Sequence, residues 1–259
     1  SVFLEIFFKT LKNKKIKNYK TPILIIASHD LLLKQMKKLK YSFKIKLIND
    51  RFFNLNKLNN KNINLINVNF NCNKIFDKIS SRSNNYISQC FNLGLKLMKE
   101  HKGCALINGP ISKQHFLKKK FPGITEYLAS KTRHAGKEVM LIYNNNLSVS
   151  PITTHLPLKN IFKKITIKKI LEQIITINKF YKKFLNKIPK IAITGLNPHC
   201  ESIKDRNEEK IIINPAIKLL TKKKIKVFGP FAADTLFIKK NIKKFDVVIG
   251  MYHDQVLTP

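Results

Sequence analysis

The sequence predicts an α/β fold built on a largely parallel sheet, and three observations predict it. Short apolar runs such as TPILIIAS (21–28) and DVVIG (246–250) recur along the chain, each the length of a buried strand. Amphipathic stretches with apolar residues at helical spacing separate them. The two kinds alternate at a pitch that suits strand–crossover–strand units, whose strands pair in parallel.

TPILIIAS reads as a buried strand and HDLLLKQMKKLK (29–40) as the helix after it. FKIKLIND (43–50) and INLINVNF (63–70) read as further strands. The asparagine-rich region 54–75 keeps its apolar residues and is read as loop and strand. Tyr86, Cys90, Leu93 and Leu97 fall on one face of a helix over 83–100, with Gly103 placed to end it. CALINGP (104–110) reads as a strand, and so do EVMLIYNN (138–145) and LSVSPITTH (147–155). A long helix over 166–187 turns Ile167, Ile170, Leu171, Ile174, Tyr181 and Leu185 inward. KIAITGLN (190–197) is a strand, NEEKIIINPAIKLL (207–220) mostly helix, KVFGPF (226–231) a strand, and DVVIG the last strand.

The chain has 50 basic residues against 15 acidic, a formal net charge of +35. A basic surface can attract nucleic acid or anionic membrane. Here the charge is almost all Lys, with arginine only at Arg51, Arg82, Arg133 and Arg206. Arg is the better residue for bidentate base or phosphate recognition. Heavy use of Lys, Ile, Asn and Phe together with the absence of Trp fits compositional drift, so nucleic acid is not the expected partner. The apolar runs are too short to span a bilayer, and the opening residues carry no small-residue cleavage site. A soluble cytoplasmic protein with no membrane partner is expected. Cys72, Cys90, Cys104 and Cys200 are scattered without a CxxC pair, which argues against a zinc ribbon or redox dithiol.

Ligands of open parallel sheets gather beyond the carboxyl ends of the strands. Those exits read NGPISK (108–113), TTHLPL (153–158), GLNPHCES (195–202), GPFAADT (229–235) and MYHDQ (251–255). Of the seven histidines, His29, His101, His115 and His134 read as surface residues. His155, His199 and His253 each follow an apolar strand. Three imidazoles suit a divalent metal with positions left open for substrate oxygens; each alone could equally cap a strand. Asp254 could orient His253, and Asp234 could ligate a metal or cap the helix after it. Lys113 could pair with an anionic substrate or simply be solvated. There is no GxGxxG, no Walker motif and no Ser-His-Asp elbow. The residues alone point to a metal-assisted α/β enzyme acting on a small polar substrate.

Read together, INGPISK, GITEYLA, TTHLPL, GLNPH, NEEKIIINPAI, GPFAADTLF and MYHDQ resemble the 4-hydroxythreonine-4-phosphate dehydrogenase family of pyridoxal phosphate biosynthesis. They occur in the family's order, and EIFFKTL (5–11) resembles its first helix. The resemblance implies a two-lobed fold like that of isocitrate and isopropylmalate dehydrogenases, with lobes over 1–120 and 121–259. It implies a homodimer with the active site at the subunit interface, and NAD bound without the usual glycine fingerprint. It implies a divalent metal (zinc, magnesium or cobalt) held by His155, His199 and His253, the last from the partner subunit. The implied reaction oxidises the C3 hydroxyl of 4-phosphooxy-L-threonine and then loses carbon dioxide, giving 3-amino-2-oxopropyl phosphate. Thr125 matches a substrate-contacting position, and Asp234 and Lys113 fall within cleft motifs. No NAD-contacting residue is assigned.

The sequence also departs from the family. Ile124 stands where the family has a substrate-contacting His, and Ile cannot donate a hydrogen bond. CESIKDRNEE (200–209) replaces a glycine-rich loop and contains no glycine. The family's opening strand, and the Lys, Asn and Arg that follow the MYHDQ motif, have no counterpart here, as if both ends were truncated. The expectation is weak or absent turnover by the chain as given. A dehydrogenase of a related hydroxy acid phosphate and a decayed homologue are the alternatives.

Overall fold

The computed structural model describes residues 2–50, 52–72, 74–100, 105–118, 120–200 and 207–259. The chain divides into two compact units, Ser1–Tyr127 and Leu128–Pro259. The sequence reading put the division between 120 and 121. The Tyr127 ring packs against Phe91, Phe116 and Phe121 at centroid distances of 5.6, 5.2 and 5.5 Å, which keeps the segment up to Tyr127 with the first unit.

The first unit contains α1 (Phe3–Lys12), α2 (Lys14–Lys17), β1 (Leu24–Ala27), α3 (His29–Lys38), β2 (Ile45–Leu47), β3 (Ile63–Asn67) and α4 (Asn84–Glu100); α5 (Ile124–Lys131) straddles the division. Its three strands pair in parallel in the order β1-β3-β2. Leu4, Phe8 and Leu11 recur at helical spacing on α1 and pack with Leu32 and Met36 of α3 and with Ile63 and Leu65 of β3. The other sheet face meets Leu93 and Leu97 of α4. Ser28 caps α3 by accepting a hydrogen bond from Leu31 N at 3.3 Å.

The second unit contains β4 (Ser148–Thr153), α6 (Ile167–Phe184), β5 (Ile191–Thr194), α7 (Asn214–Lys222), β6 (Val227–Phe231), α8 (Ala233–Leu236), α9 (Lys239–Ile242), β7 (Val247–Tyr252) and α10 (His253–Leu257). All four strands are parallel in the order β4-β7-β5-β6. Every carboxyl end therefore lies on one edge of the sheet. Strand β5 is wholly buried, and β7 is buried up to Tyr252. Ile170, Ile174, Ile177 and Tyr181 of α6 pack on Ile191, Ile193, Val247 and Ile249. Thr166 caps α6, and Gln173 Nε2 ties the helix to β4 by donating to Ser150 Oγ and Pro151 O.

The α/β class with parallel sheets is borne out. Two expected strands are not. Residues 105–110 form no strand; no neighbouring strand among the described residues supplies a ladder, and Ile107 is 81% exposed. Over 138–145 the pairing shrinks to one antiparallel bridge, Ile142 with Val149. Gly103, Cys104, His101 and most of the 200–209 loop lie outside the described residues. No helix among the described residues is long and apolar enough to cross a membrane. Cys72, Cys90 and Cys200 form no disulfide.

Candidate metal centre

The second unit's strand order brings the singled-out residues to one edge. His155 lies two residues past β4, His253 directly follows β7, His199 lies in the turn after β5, and Asp234 follows β6. Along the edge they therefore run His155, His253, His199, Asp234, one to each adjacent strand.

They meet in two pairs. The His155 and His253 rings lie 6.4 Å apart, centroid to centroid. Both line a cavity of about 210 Å³ with Thr153, Leu158, Tyr252 and Asp254. His199 Nδ1 lies 3.6 Å from Asp234 Oδ2. Among the described residues no three His, Cys, Asp or Glu side chains converge on one ion position.

Local backbone explains how each ring is presented. His155 and His199 adopt left-handed conformations at φ 52° and 56°, a strained choice for non-glycine residues that clusters at functional sites. His253 opens α10, and its Nδ1 lies 2.7 Å from Asp254 Oδ1, leaving Nε2 available. A carboxylate that fixes a ring in this way is the usual outer partner of a metal-binding His. The edge is braced from below. Thr153 Oγ1 donates to Met251 O at 2.8 Å, and Thr194 Oγ1 donates to Gln255 Oε1 at 2.7 Å.

Asp234 sits within the first turn of α8, whose N-cap is Ala232, and its Oδ1 accepts from Thr235 N at 2.7 Å. It is thus a first-turn residue that faces His199. In the first unit, Lys113 is exposed and opens a π-helical turn, Lys113–Leu117, capped by Ser112. Ile124, half-buried, and Thr125, exposed, form the first turn of α5.

Sequence reasoning missed two buried polar side chains behind the edge, Glu209 and Gln255, which are 2% and 8% exposed. Each stands inside a segment already singled out, NEEKIIINPAI and MYHDQ. Glu209 stands between Glu208 and Lys210, and Gln255 follows Asp254, so the local pattern carried no signal of their burial.

A parallel α/β sheet with imidazoles and a carboxylate spread along its carboxyl edge defines a class: α/β proteins with a ligand site at the strand exits. The family model for pyridoxal phosphate biosynthetic protein PdxA matches residues 18–259, and the chain belongs to that family. The 4-hydroxythreonine-4-phosphate dehydrogenase of Sulfurihydrogenibium sp. (strain YO3AOP1) is 43% identical over 169 residues, covering 64% of this chain and 52% of its own. That of Wigglesworthia glossinidia brevipalpis is 32% identical over 249 residues, covering 93% of this chain and 73% of its own. The crystal structure of a 4-hydroxythreonine-4-phosphate dehydrogenase from Burkholderia phymatum superposes with a TM-score of 0.83 at 27% identity, over 100% of this chain and 78% of that one. The chain spans about half the length of the first curated relatives it matches.

Proposed function

We propose that the protein oxidises the C3 hydroxyl of 4-phosphooxy-L-threonine with NAD, in pyridoxal phosphate biosynthesis. The oxidised acid then loses carbon dioxide to give 3-amino-2-oxopropyl phosphate. Family membership and the names of the relatives support this reading. The single observation that carries it in the structure is the row of His155, His253, His199 and Asp234 on four adjacent exits of one parallel sheet.

The donor set fits a divalent ion. Imidazole nitrogens suit zinc or cobalt, and added carboxylate oxygen admits magnesium. His155, His199 and His253 would hold it. When bound, such an ion lowers the pKa of an alcohol and so makes hydride loss to NAD easier. The chain's own residues do the rest. Asp254 fixes the His253 ring so that Nε2 is presented. The left-handed turns at His155 and His199 aim those rings off the strand ends. Thr125 would contact the substrate, and Lys113 would pair with its anionic groups.

The row spans three strand spacings, about 14 Å at ~4.8 Å each. Among the described residues of one chain, no three of these side chains converge on one ion position. That supports a homodimer in which each site is completed from the partner subunit, and the family resemblance makes His253 the residue supplied. Ile124 favours one variant of the reading, a related hydroxy acid phosphate, because it removes a hydrogen-bond donor at a substrate position.

The test is NADH formation from 4-phosphooxythreonine with and without chelator. It is run on this chain and on one extended to the length of its relatives. Chelation is expected to lower the rate by about 100-fold or more, and H155A to do the same. An undiminished rate in chelator would overturn the metal centre; turnover of a different hydroxy acid phosphate would select the variant.

A further inference from the structure

Two side chains that no part of the chemistry uses are buried directly behind the two central exits. Gln255, in α10 two residues past His253, uses both halves of its amide. Its Oε1 accepts from Met251 N and from Thr194 Oγ1, each at 2.7 Å, and its Nε2 donates to Gly195 O at 2.7 Å. One side chain thus ties the exit of β7 to the exit of β5.

Glu209 approaches the same turn from the other side, from the π-helical turn Glu209–Ile213 that leads into α7. Its Oε1 accepts from Leu196 N at 2.7 Å and Asn197 N at 2.8 Å, and its Oε2 accepts from Asn197 Nδ2 at 2.8 Å. The backbone of 195–197, just ahead of Pro198 and His199, is therefore gripped at one carbonyl and two amides. Gly195 makes this possible. A Cβ there would lie 2.7 Å from Cys200 Sγ and 3.0 Å from Glu209 Oε1.

Burying a carboxyl and an amide costs more than burying apolar groups of the same shape, unless their hydrogen bonds are all made. Here they are made, and among the described residues they go to the ends of β5 and β7 and to the turn that carries His199. His199 also sits in a left-handed conformation, which persists only where its surroundings over-determine it. We propose that Glu209 and Gln255 are positioning residues: a buried bracket that fixes His199 and His253 of one subunit relative to each other. Their role in metal binding rests on the function proposed above.

The test uses two shape-conserving variants of the full chain. E209Q turns one accepting oxygen into a donor that faces Asn197. Q255E turns the donor to Gly195 O into an oxygen. T194V, which removes only the hydroxyl bonded to Gln255, is the milder third variant should either of the others fail to fold. The first readout needs no metal: ring C–H correlations of the histidines by NMR. Single sharp signals are expected in the parent. The His199 signal should broaden or split in E209Q, and both His199 and His253 signals in Q255E. The second readout is Co²⁺ titration by visible absorption. Its affinity is expected to fall about 10- to 100-fold in either variant, the usual effect of losing an outer partner of a metal ligand. Ring signals and Co²⁺ affinity both unchanged in folded variants would overturn the bracket. If the parent takes up no Co²⁺ while the ring signals still respond, the metal reading fails and the positioning stands.

Discussion

The two sheets of this chain are both parallel, yet they are finished differently. In the second unit β5 and β7 are buried on both faces. Ile191, Ile193, Val247 and Ile249 face one cluster, and Ala192 and Val248 face another. In the first unit only β3 has that character, and β2 is half-buried to exposed, with Leu47 at 60%. Large apolar side chains around that unit also stand open, with Phe52 and Ile107 at 81%. Double-sided burial is the usual state of parallel strands. The lesson is where rigidity lies: the candidate ligands are mounted on the sheet that is closed on both sides, and a site needs such support to keep its geometry.

A pair of substitutions puts this difference at risk. Ile249→Ala, fully buried at the centre of the second sheet, should cost about 2–5 kcal/mol. Leu47→Ala, on the outer strand of the first, should cost no more than about 0.5 kcal/mol. Denaturant midpoints at constant slope would measure both. A loss at Leu47 comparable to that at Ile249 would break the comparison, because it would mean that the outer strand is covered in solution.

The same contrast explains what could be read from the sequence. The strands of the second sheet were legible because a strand buried on both faces is an unbroken apolar run, as in VVIG and IAIT. Their exits followed, and with them His155, His199 and His253. CALINGP has the same look, but a strand also needs a neighbour, and sequence pattern carries no record of pairing. Glu209 and Gln255 were not legible because their burial is decided by residues from other elements: Leu196 and Asn197 for one, Thr194 and Gly195 for the other. The pairing of His155 with His253 follows from β7 lying between β4 and β5, an order that no local pattern encodes.

The asparagine-rich stretch sharpens the comparison at smaller magnitude. Asn60, 4% exposed, accepts from Ile23 N at 2.8 Å and donates to Tyr19 O and Thr21 O. Asn64 donates to Ile23 O and Asn59 O. These two hold the entry of β1 with buried side-chain hydrogen bonds. Asn60→Ala should cost about 1–3 kcal/mol, the penalty for leaving buried backbone groups unpaired. Amide exchange should quicken around Ile23 and leave β5 and β7 protected. Equal acceleration in both units would show that they unfold as one.

The smallest effect is expected at the amino edge of the second sheet, opposite the exits. Asp246 accepts from Lys190 N at 2.8 Å and pairs with Lys187. The hydrogen bond to Asp246 raises the Lys187 pKa above 10.5. Its contribution is therefore complete below pH 10.5 and disappears as pH climbs through the higher folded-state value. Lys187 is half exposed, so solvent screening holds that contribution to about 0.5 kcal/mol. Lys187→Met should lose that amount at pH 7 in low salt, less as the pH rises above 10.5, and nothing in 1 M salt. A loss several times larger, or one indifferent to salt, would mean that this edge is shielded from water as the interior of the sheet is. The closed character of the second unit would then extend to both ends of its strands.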